Sequence, residues 1–239
     1  MAVIIGSARS DERGKYSGGQ KGDQKQTATP DYKGEVSLQN FYIHSKGWFV
    51  FRPKDPYVAD RLAQKMKDAC HNKNIGYSQS DRLGIINNGI NTITPTNCDC
   101  SSLVRECIIE ATGRDVGNFN TSSEPAVLEA SHIFEKRMSY TQGMPLKNGD
   151  VLVTKTKGHT AIVVQGENNP IQPTLFSGMS NEYVLAWQKY LNTLGYNLAE
   201  NSVFNSSMDK AVREYQKKNG LTPDGIIGPK TWATVGKGV

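Results

Sequence analysis

Residues 97–109 read NCDCSSLVRECII and place two cysteines one residue apart, directly ahead of a segment whose apolar residues have helical spacing. Asp99 is a favourable N-cap residue, and Gly113 is a typical helix stop. Between them, the apolar stripe consists of Leu103, Val104, Cys107, Ile108 and Ala111. This spacing predicts a helix whose first residue is Cys100.

A cysteine at the start of a helix is a candidate nucleophile, because the helix dipole and the free N–H groups of the first turn stabilise a thiolate and lower its pKa. The same amides can stabilise a developing oxyanion. The thiol also needs a base, and His159 opens the predicted strand in KGHTAIVV, which could lie against the helix. The sequence therefore predicts a catalytic pair of Cys100 and His159, with Asp99 and Ser101 as possible support.

Two alternatives compete with this interpretation. A lone cysteine near a helix is often a small buried hydrophobic residue, and this role fits Cys107 and Cys70, which lie on predicted apolar stripes. Metal binding is less favoured, because Cys98 and Cys100 lack the two-residue gap of usual zinc sites and no second Cys/His pair accompanies them. We expect no metal and no organic cofactor.

Charge and hydropathy exclude several classes of protein. The 239 residues include 28 Lys and Arg against 23 Asp and Glu, spread along the chain without the basic cluster of a nucleic-acid-binding surface. No apolar run approaches the roughly 18 residues of a membrane span, and the N-terminus lacks the features of a signal peptide. We expect a protein made in the cytoplasm with free thiols, without a nucleic-acid partner and without membrane insertion.

The order of predicted elements indicates the fold class. Residues 1–34 are rich in Gly, Lys, Asp, Gln and Ser, which is typical of an irregular segment. The elements that follow are strands at 35–43 and 47–53, a helix that starts at Asp55-Pro56 and ends near Asn74-Gly76, a loop at 77–97, the helix at Cys100 and two strands within 148–164. This order predicts an α+β fold with a mostly antiparallel sheet.

The C-terminal part of the chain contains a short internal repeat. The segment NSVFNSSMDKAV at 201–212 aligns with DGIIGPKTWATV at 224–235, and each copy is a turn that leads into a helix. A polar, Pro-containing stretch precedes this part. We therefore predict a domain at 1–166, a linker at 167–180 and a small three-helix domain at 181–239.

Two blocks of the first domain resemble a known family. DCSSLV and GDVLVTKTKGHTAIVV are similar to the two signature blocks of the NlpC/P60 superfamily, which are papain-like cysteine peptidases of the cell wall. The resemblance implies that Cys100 is the nucleophile and His159 its base. It also implies a role for Tyr77, which resembles in position the tyrosine that these enzymes carry upstream of the cysteine, although packing is an equal alternative.

The remaining motifs resemble parts of phage lysins. GGQKGDQ, KGEV and HSKGWFVFR resemble N-terminal domains of phage endolysins, whereas WQKYLNTLGY, AVREYQKKNGL and DGIIGPKTW resemble the peptidoglycan-binding type 1 module. These resemblances imply a monomeric endolysin that acts at the bacterial cell wall, with peptidoglycan as its partner and a separate holin-like protein for its release.

Several functions remain open from the sequence. Cleavage within the peptidoglycan stem peptide is our first expectation, and N-acetylmuramoyl-L-alanine amidase activity is the alternative, because both reactions break an amide bond with the same Cys–His machinery. From other classes, the chain could be an inactive wall-binding protein or an intracellular cysteine protease or acyltransferase. The intact Cys–His pair argues against the first, and the C-terminal repeat argues against the second.

The residue that orients His159 is the missing part of the predicted site. A hairpin near Glu167 would place Phe176 opposite His159, and no polar orienting residue lies close to Phe176 in the sequence. We therefore expect the N-terminal segment to complete the site. Its polar candidates are Asp23, Gln24 and Glu35.

Overall fold

The computed structural model describes residues 2–26, 33–166, 173–232, 234 and 235. The chain divides into two compact units, Met1–Asn169 and Pro170–Val239. This division falls inside the predicted linker at 167–180, of which 167–172 lie outside the described residues.

A six-stranded antiparallel sheet forms the centre of the first unit, as the sequence predicts. Its strands are β1 (Ile4–Ala8), β2 (Val36–Asn40), β3 (Trp48–Phe51), β6 (Met138–Ser139), β7 (Val151–Thr154) and β8 (Thr160–Gln165). The spatial order is β2-β1-β8-β7-β3-β6. Two further strands, β4 (Ile75–Tyr77) and β5 (Thr96–Cys98), pair in parallel.

The prediction of an irregular segment over residues 1–34 is wrong for Ile4–Ala8, which lies inside the sheet between β2 and β8. The helix at Pro56–His71 packs so closely on this strand that position 6 must be glycine, because a Cβ there would lie only 3.0 Å from the Cys70 Sγ. Strand β8 is therefore paired on both sides, with β1 and β7. The place beside β8 that a hairpin turning near Glu167 would fill is taken by β1, and the turn itself lies outside the described residues.

Four α-helices lie in the described part of the first unit. They are α1 (Pro56–His71), α2 (Gly84–Asn88), α3 (Cys100–Thr112) and α4 (Glu124–Ala130). Helices α1 and α3 bury Leu62, Met66, Leu103 and Ile108 in one core with Ile162 of β8. This packing fixes the start of α3 against the start of β8, where the candidate site lies.

The prediction of a plain loop at 77–97 is wrong in part. This stretch contains a 3-10 turn at Gln79–Asp81, helix α2 and the beginning of β5. These elements have three to five residues each, which is too short for a periodic sequence signal. Strand β5 exists because β4 pairs with it, and this pairing sets Tyr77 opposite Cys98.

The second unit contains the predicted three helices, α5 (Glu182–Thr193), α6 (Ser206–Lys218) and α7 (Pro229–Trp232). They enclose their own core, in which Trp187 and Tyr215 are buried. A buried glutamine on each longer helix holds the turn that follows it. Gln188 accepts N–H bonds from Asn201 and Ser202, and Gln216 accepts one from Gly225.

The two copies of the repeat have the same local geometry despite their different residues. Ser202 has a φ of 63°, and Gly225 at the equivalent position has a φ of 75°. The side chains of Asn201 and Asp224 each accept the N–H of the residue two positions later. Asn and Asp make this turn equally well, so the first copy keeps the fold without the Asp-Gly pair of the second copy.

Candidate active site

Helix α3 begins at Cys100, as predicted, and its start is held rigidly. The Asp99 carboxylate accepts the N–H of Ser102 at 2.7 Å, and the Asp99 N–H donates to the Ser102 hydroxyl at 2.9 Å, which completes a capping box. Arg82 donates to the other Asp99 oxygen at 2.6 Å. Asp99 therefore positions the thiol through the backbone of the first turn.

Cys100, His159 and Tyr77 line one cavity of about 460 Å³. The sequence places these residues far apart, at the start of α3, the start of β8 and the end of β4. Further side chains complete the walls: Arg9, Tyr16, Gln39, Tyr42, His44, Lys46 and Gln79. Among the described residues, those that line the cavity include the cations Arg9 and Lys46 but no carboxylate.

The Cys100 thiol is almost enclosed, with a residue exposure of 8%. Its sulfur accepts a hydrogen bond from the Thr160 backbone N–H, and the Ser101 hydroxyl lies 3.9 Å from it. Since Thr160 directly follows His159, this contact ties the nucleophile to the strand that carries the base. The start of α3 leaves the N–H groups of the first turn without intrahelical acceptors, as in every helix.

His159 is anchored through its backbone. Its N–H donates to the Thr154 hydroxyl at 2.9 Å, and its carbonyl accepts the Thr154 N–H at 3.0 Å. The imidazole lies beside Trp48, with ring centroids 6.3 Å apart. Nε2 of His159 is buried and makes no hydrogen bond with any residue in the described ranges.

Burial keeps both members of the pair neutral. It raises the pKa of the Cys100 thiol to about 12, and the nearby carboxyl groups of Asp99 and Glu124 act in the same direction. Burial lowers the pKa of His159 to about 4, and the protonated form of His44 and the Arg9 guanidinium act in the same direction. The expectation of a lowered thiol pKa is therefore wrong, because desolvation outweighs the effect of the helix start.

The Tyr77 hydroxyl accepts a hydrogen bond from the Gln79 side chain at 3.1 Å. Burial raises the pKa of Tyr77 above its ordinary value, so the phenol keeps its proton. A protonated hydroxyl in the same cavity as the thiol can donate a hydrogen bond to a bound group.

The three polar candidates of the N-terminal segment lie away from the cavity. Asp23 accepts the N–H groups of Lys25 and Glu35, at 3.0 and 3.2 Å. Glu35 is buried and accepts the N–H of Gln24 at 3.3 Å and that of Tyr77 at 2.8 Å. Glu35 therefore contacts the site through the Tyr77 backbone, and Asp23 holds the chain around Glu35.

The N-terminal part nevertheless forms one wall of the cavity. Arg9 follows β1, Tyr16 lies in the loop beyond it, and Gln39 lies on β2. The Arg9 guanidinium donates to the Gln39 side-chain oxygen at 2.7 Å and also bonds to the Ser37 hydroxyl. Sequence reasoning missed these residues, because the position of β1 beside β8 brings them to the site.

Burial makes the other three cysteines poor candidates for a nucleophile. Cys70, Cys98 and Cys107 have no exposed surface, and burial raises the pKa of Cys98 and Cys107. No disulfide links the four cysteines. Throughout the described part of the chain, no group of three or more His, Cys, Asp or Glu is arranged to hold a metal ion, and no helix is long and apolar enough to cross a membrane.

Glu124 is a second group that sequence reasoning missed. It begins α4, has no exposed surface, and its Oε1 lies 2.7 Å from the Thr160 hydroxyl. In the sequence, Ser123, Glu124 and Pro125 indicate only the beginning of a helix. The proximity of Glu124 to the thiol arises from tertiary packing.

Comparison with known proteins gives two family matches. The family described as "Endolysin-like domain" matches residues 5–170, and the family "Putative peptidoglycan binding domain" matches residues 180–235. The chain is also similar to a solved peptidoglycan-binding protein from Clostridioides difficile in complex with glutamine hydroxamate. That match has 28% identity and covers 38% of this chain and 73% of the other, but its TM-score is 0.28, too low to relate the two folds. No curated protein matches the chain.

Proposed function

Because the chain belongs to the family of endolysin-like domains, we propose that it is a peptidoglycan hydrolase that uses Cys100 to cleave an amide bond of the stem peptide. The observation that carries this proposal is the cavity shared by Cys100 at the start of α3, His159 at the start of β8 and Tyr77. A papain-like mechanism of the NlpC/P60 type fits these three positions.

The reaction starts from a neutral pair. His159 removes the thiol proton while the Cys100 sulfur attacks the amide carbonyl, so that no thiolate is stored in the free site. In this proposal the negative charge that develops on the carbonyl oxygen is stabilised by the free N–H groups at the start of α3, and the Tyr77 hydroxyl in the same cavity adds a donor. His159 then protonates the leaving amine, and water hydrolyses the thioester with the imidazole as base.

The flanking residues have supporting roles in this scheme. Asp99 fixes the first turn of α3 through its capping box and its bond to Arg82. The Ser101 hydroxyl lies 3.9 Å from the sulfur and can donate to it. Glu35 holds the Tyr77 backbone, and we assign Asp23 and Gln24 to the support of Glu35.

The second unit is proposed to hold the enzyme on the wall. Its match to a peptidoglycan binding domain covers residues 180–235, and its three helices form an independent core. We further propose that the protein acts as a monomer, without a cofactor, after a separate holin-like protein has released it from the cytoplasm. Sedimentation of the inactive Cys100→Ala protein with purified sacculi tests the binding role, and truncation after Asn169 should abolish it.

A turbidity assay on bacterial cell walls tests the nucleophile. Cys100→Ala should abolish lysis while the circular dichroism spectrum stays unchanged, since the side chain is small and lies at the cavity wall. Cys98→Ser is the matched control, because the Cys98 sulfur is fully buried and faces the Gly76 carbonyl at 3.5 Å. An essential Cys98 together with a dispensable Cys100 would refute the assignment.

A further inference from the structure

A buried carboxyl group lies next to the nucleophile and has no part in the mechanism above. Glu124 has no exposed surface, and its Oε1 lies 2.7 Å from the Thr160 Oγ1. Its Oε2 is also buried and makes no hydrogen bond with any described residue. A buried carboxylate with one empty oxygen is costly, so the arrangement calls for an explanation.

The two contacts of the Thr160 hydroxyl indicate whether the Glu124 carboxyl is protonated or ionised. Its Oγ1 lies 2.7 Å from Glu124 Oε1 and 2.9 Å from the Leu152 carbonyl oxygen. A hydroxyl has one proton to donate, and a carbonyl oxygen can only accept. Both contacts are full hydrogen bonds only when Glu124 carries a proton, donates it to Thr160, and Thr160 donates to Leu152.

This series of hydrogen bonds reaches the Cys100 thiol through the backbone of Thr160. The backbone N–H of the same Thr160 donates to the Cys100 sulfur. The hydroxyl therefore fixes the residue whose amide contacts the nucleophile. A charge on Glu124 would in addition act directly on Cys100, because its carboxyl is one of the groups that raise the pKa of this thiol.

The charged groups around Glu124 come from several elements. Asp99 at the start of α3 opposes its ionisation, whereas Arg82 favours it. Arg82 is already engaged by Asp99 at 2.6 Å, the Phe119 carbonyl at 2.6 Å and the Asn118 side chain at 2.7 Å. Burial dominates and raises the pKa of Glu124 to about 8.

We propose that Glu124 is a positioning residue that acts as a neutral acid, holding Thr160 against Cys100, and that its ionisation inactivates the site at alkaline pH. This inference rests on the proposed function for its activity readout. It adds a fourth residue to the site and assigns the alkaline limit of the enzyme to a group other than the catalytic pair.

The expected pH profile follows from the groups in the site. Activity rises as His159 loses its proton, around pH 4, and falls as Glu124 ionises, around pH 8. A single ionisation at that pH lowers the rate about tenfold between pH 7 and pH 9. Without Glu124, the falling limb would move towards the pKa of the thiol, which is about 12 in the wild type and lower once the Glu124 charge no longer raises it.

Three variants of the full chain test the proposal in lysis assays from pH 5 to pH 10. Glu124→Ala removes the proton donor and should lower lysis at pH 7 at least tenfold. Glu124→Gln should rescue it and abolish the fall above pH 8, because the amide NH₂ donates to Thr160 as the acid does. Glu129→Gln, an exposed position of the same helix, should leave the profile unchanged.

Alkylation of Cys100 by iodoacetamide gives a second readout that needs no peptidoglycan cleavage. Mass spectrometry of the Cys100 peptide should show equal rates for wild type and Glu124→Gln at pH 6, and a rate about fivefold or more higher for Glu124→Gln at pH 9. Equal rates at both pH values would overturn the proposal. An unaltered falling limb of lysis in Glu124→Gln would also overturn it, whereas absence of lysis in the wild type would refute only the proposed hydrolase function.

Discussion

Gly76→Ala tests whether the N-terminal segment packs against β4, the strand that brings Tyr77 to the candidate site. Gly76 lies in β4, directly before Tyr77. A Cβ at this position would lie 2.6 Å from the Gly22 carbonyl carbon, closer still to its oxygen, and 3.0 Å from the Asn97 side-chain amide. Because Gly22 presents backbone atoms, no side-chain rotation relieves the clash, and either β4 or the segment around Gly22 must move.

The cost can be worked from these contacts. Overpacking of a dense interior typically costs about 1–3 kcal/mol. Movement of the segment also weakens the hydrogen bonds from Gly22 N to Thr96 O at 3.1 Å and from Asp23 N to Lys73 O at 2.8 Å, each worth about 1 kcal/mol net. We expect the free energy of unfolding to fall by about 2–4 kcal/mol, and Tm by about 5–15 °C for a unit of this size.

The assay combines thermal unfolding of the full chain with wall lysis at a temperature where the variant remains folded. Lysis should fall as well, because the shift displaces Tyr77 from the cavity. Gly228→Ala is the matched control, since a Cβ there meets no atom within 4 Å and its φ is ordinary. If Gly76→Ala unfolds within 1 °C of the wild type and lyses walls at a comparable rate, the segment does not pack as described.

Three further predictions concern stability. Ser202→Gly should raise the free energy of unfolding of the second unit by about 0.5–1 kcal/mol in urea titrations, because Ser202 has a φ of 63° where Gly225 occupies the equivalent position; a loss of stability would contradict the repeat geometry. Burial raises the pKa of Glu35 to about 7 and that of Glu124 to about 8, so the folded state binds these protons more tightly. The stability that these two protons give the folded state is therefore lost as pH rises through these values. The free energy of unfolding in urea should fall by about 1–3 kcal/mol from pH 6.5 to pH 9, and a flat or rising profile would refute this prediction. Deletion of residues 1–30 removes an inner strand of the sheet and should unfold the first unit, seen as loss of its share of the circular dichroism signal while the second unit stays folded; a fully folded, lytic truncation would show that strand to be dispensable.

Local sequence signals predicted the elements that carry the catalytic pair. The start of α3 at Cys100 follows from Asp99 as a cap, and its end from Gly113, which adopts a φ of 70°. The strand after His159 follows from its run of β-branched residues. Each of these signals lies within a few residues of the element it defines, which is why it can be read without the fold.

The features that depend on tertiary packing could not be predicted. The sequence IIGSA of β1 is a weak strand signal, because the close approach of Met66 and Cys70 requires Gly6 in its centre. Once β1 lies beside β8, Arg9 and Tyr16 come to the cavity, and no local pattern reports this. The effect of burial on Cys100 was missed for the same reason, since desolvation depends on everything that surrounds the thiol.

The most direct test of the central claim is mass spectrometry of purified peptidoglycan after digestion by the full chain, with Cys100→Ala as the control. We predict fragments with a new free amino group within the stem peptide, produced by the wild type and absent with Cys100→Ala. Release of whole stem peptides from the glycan would identify the amidase reaction instead. Cleavage of glycan strands alone, or the same fragments from Cys100→Ala, would contradict the assignment of Cys100 as the nucleophile that breaks a stem-peptide amide bond.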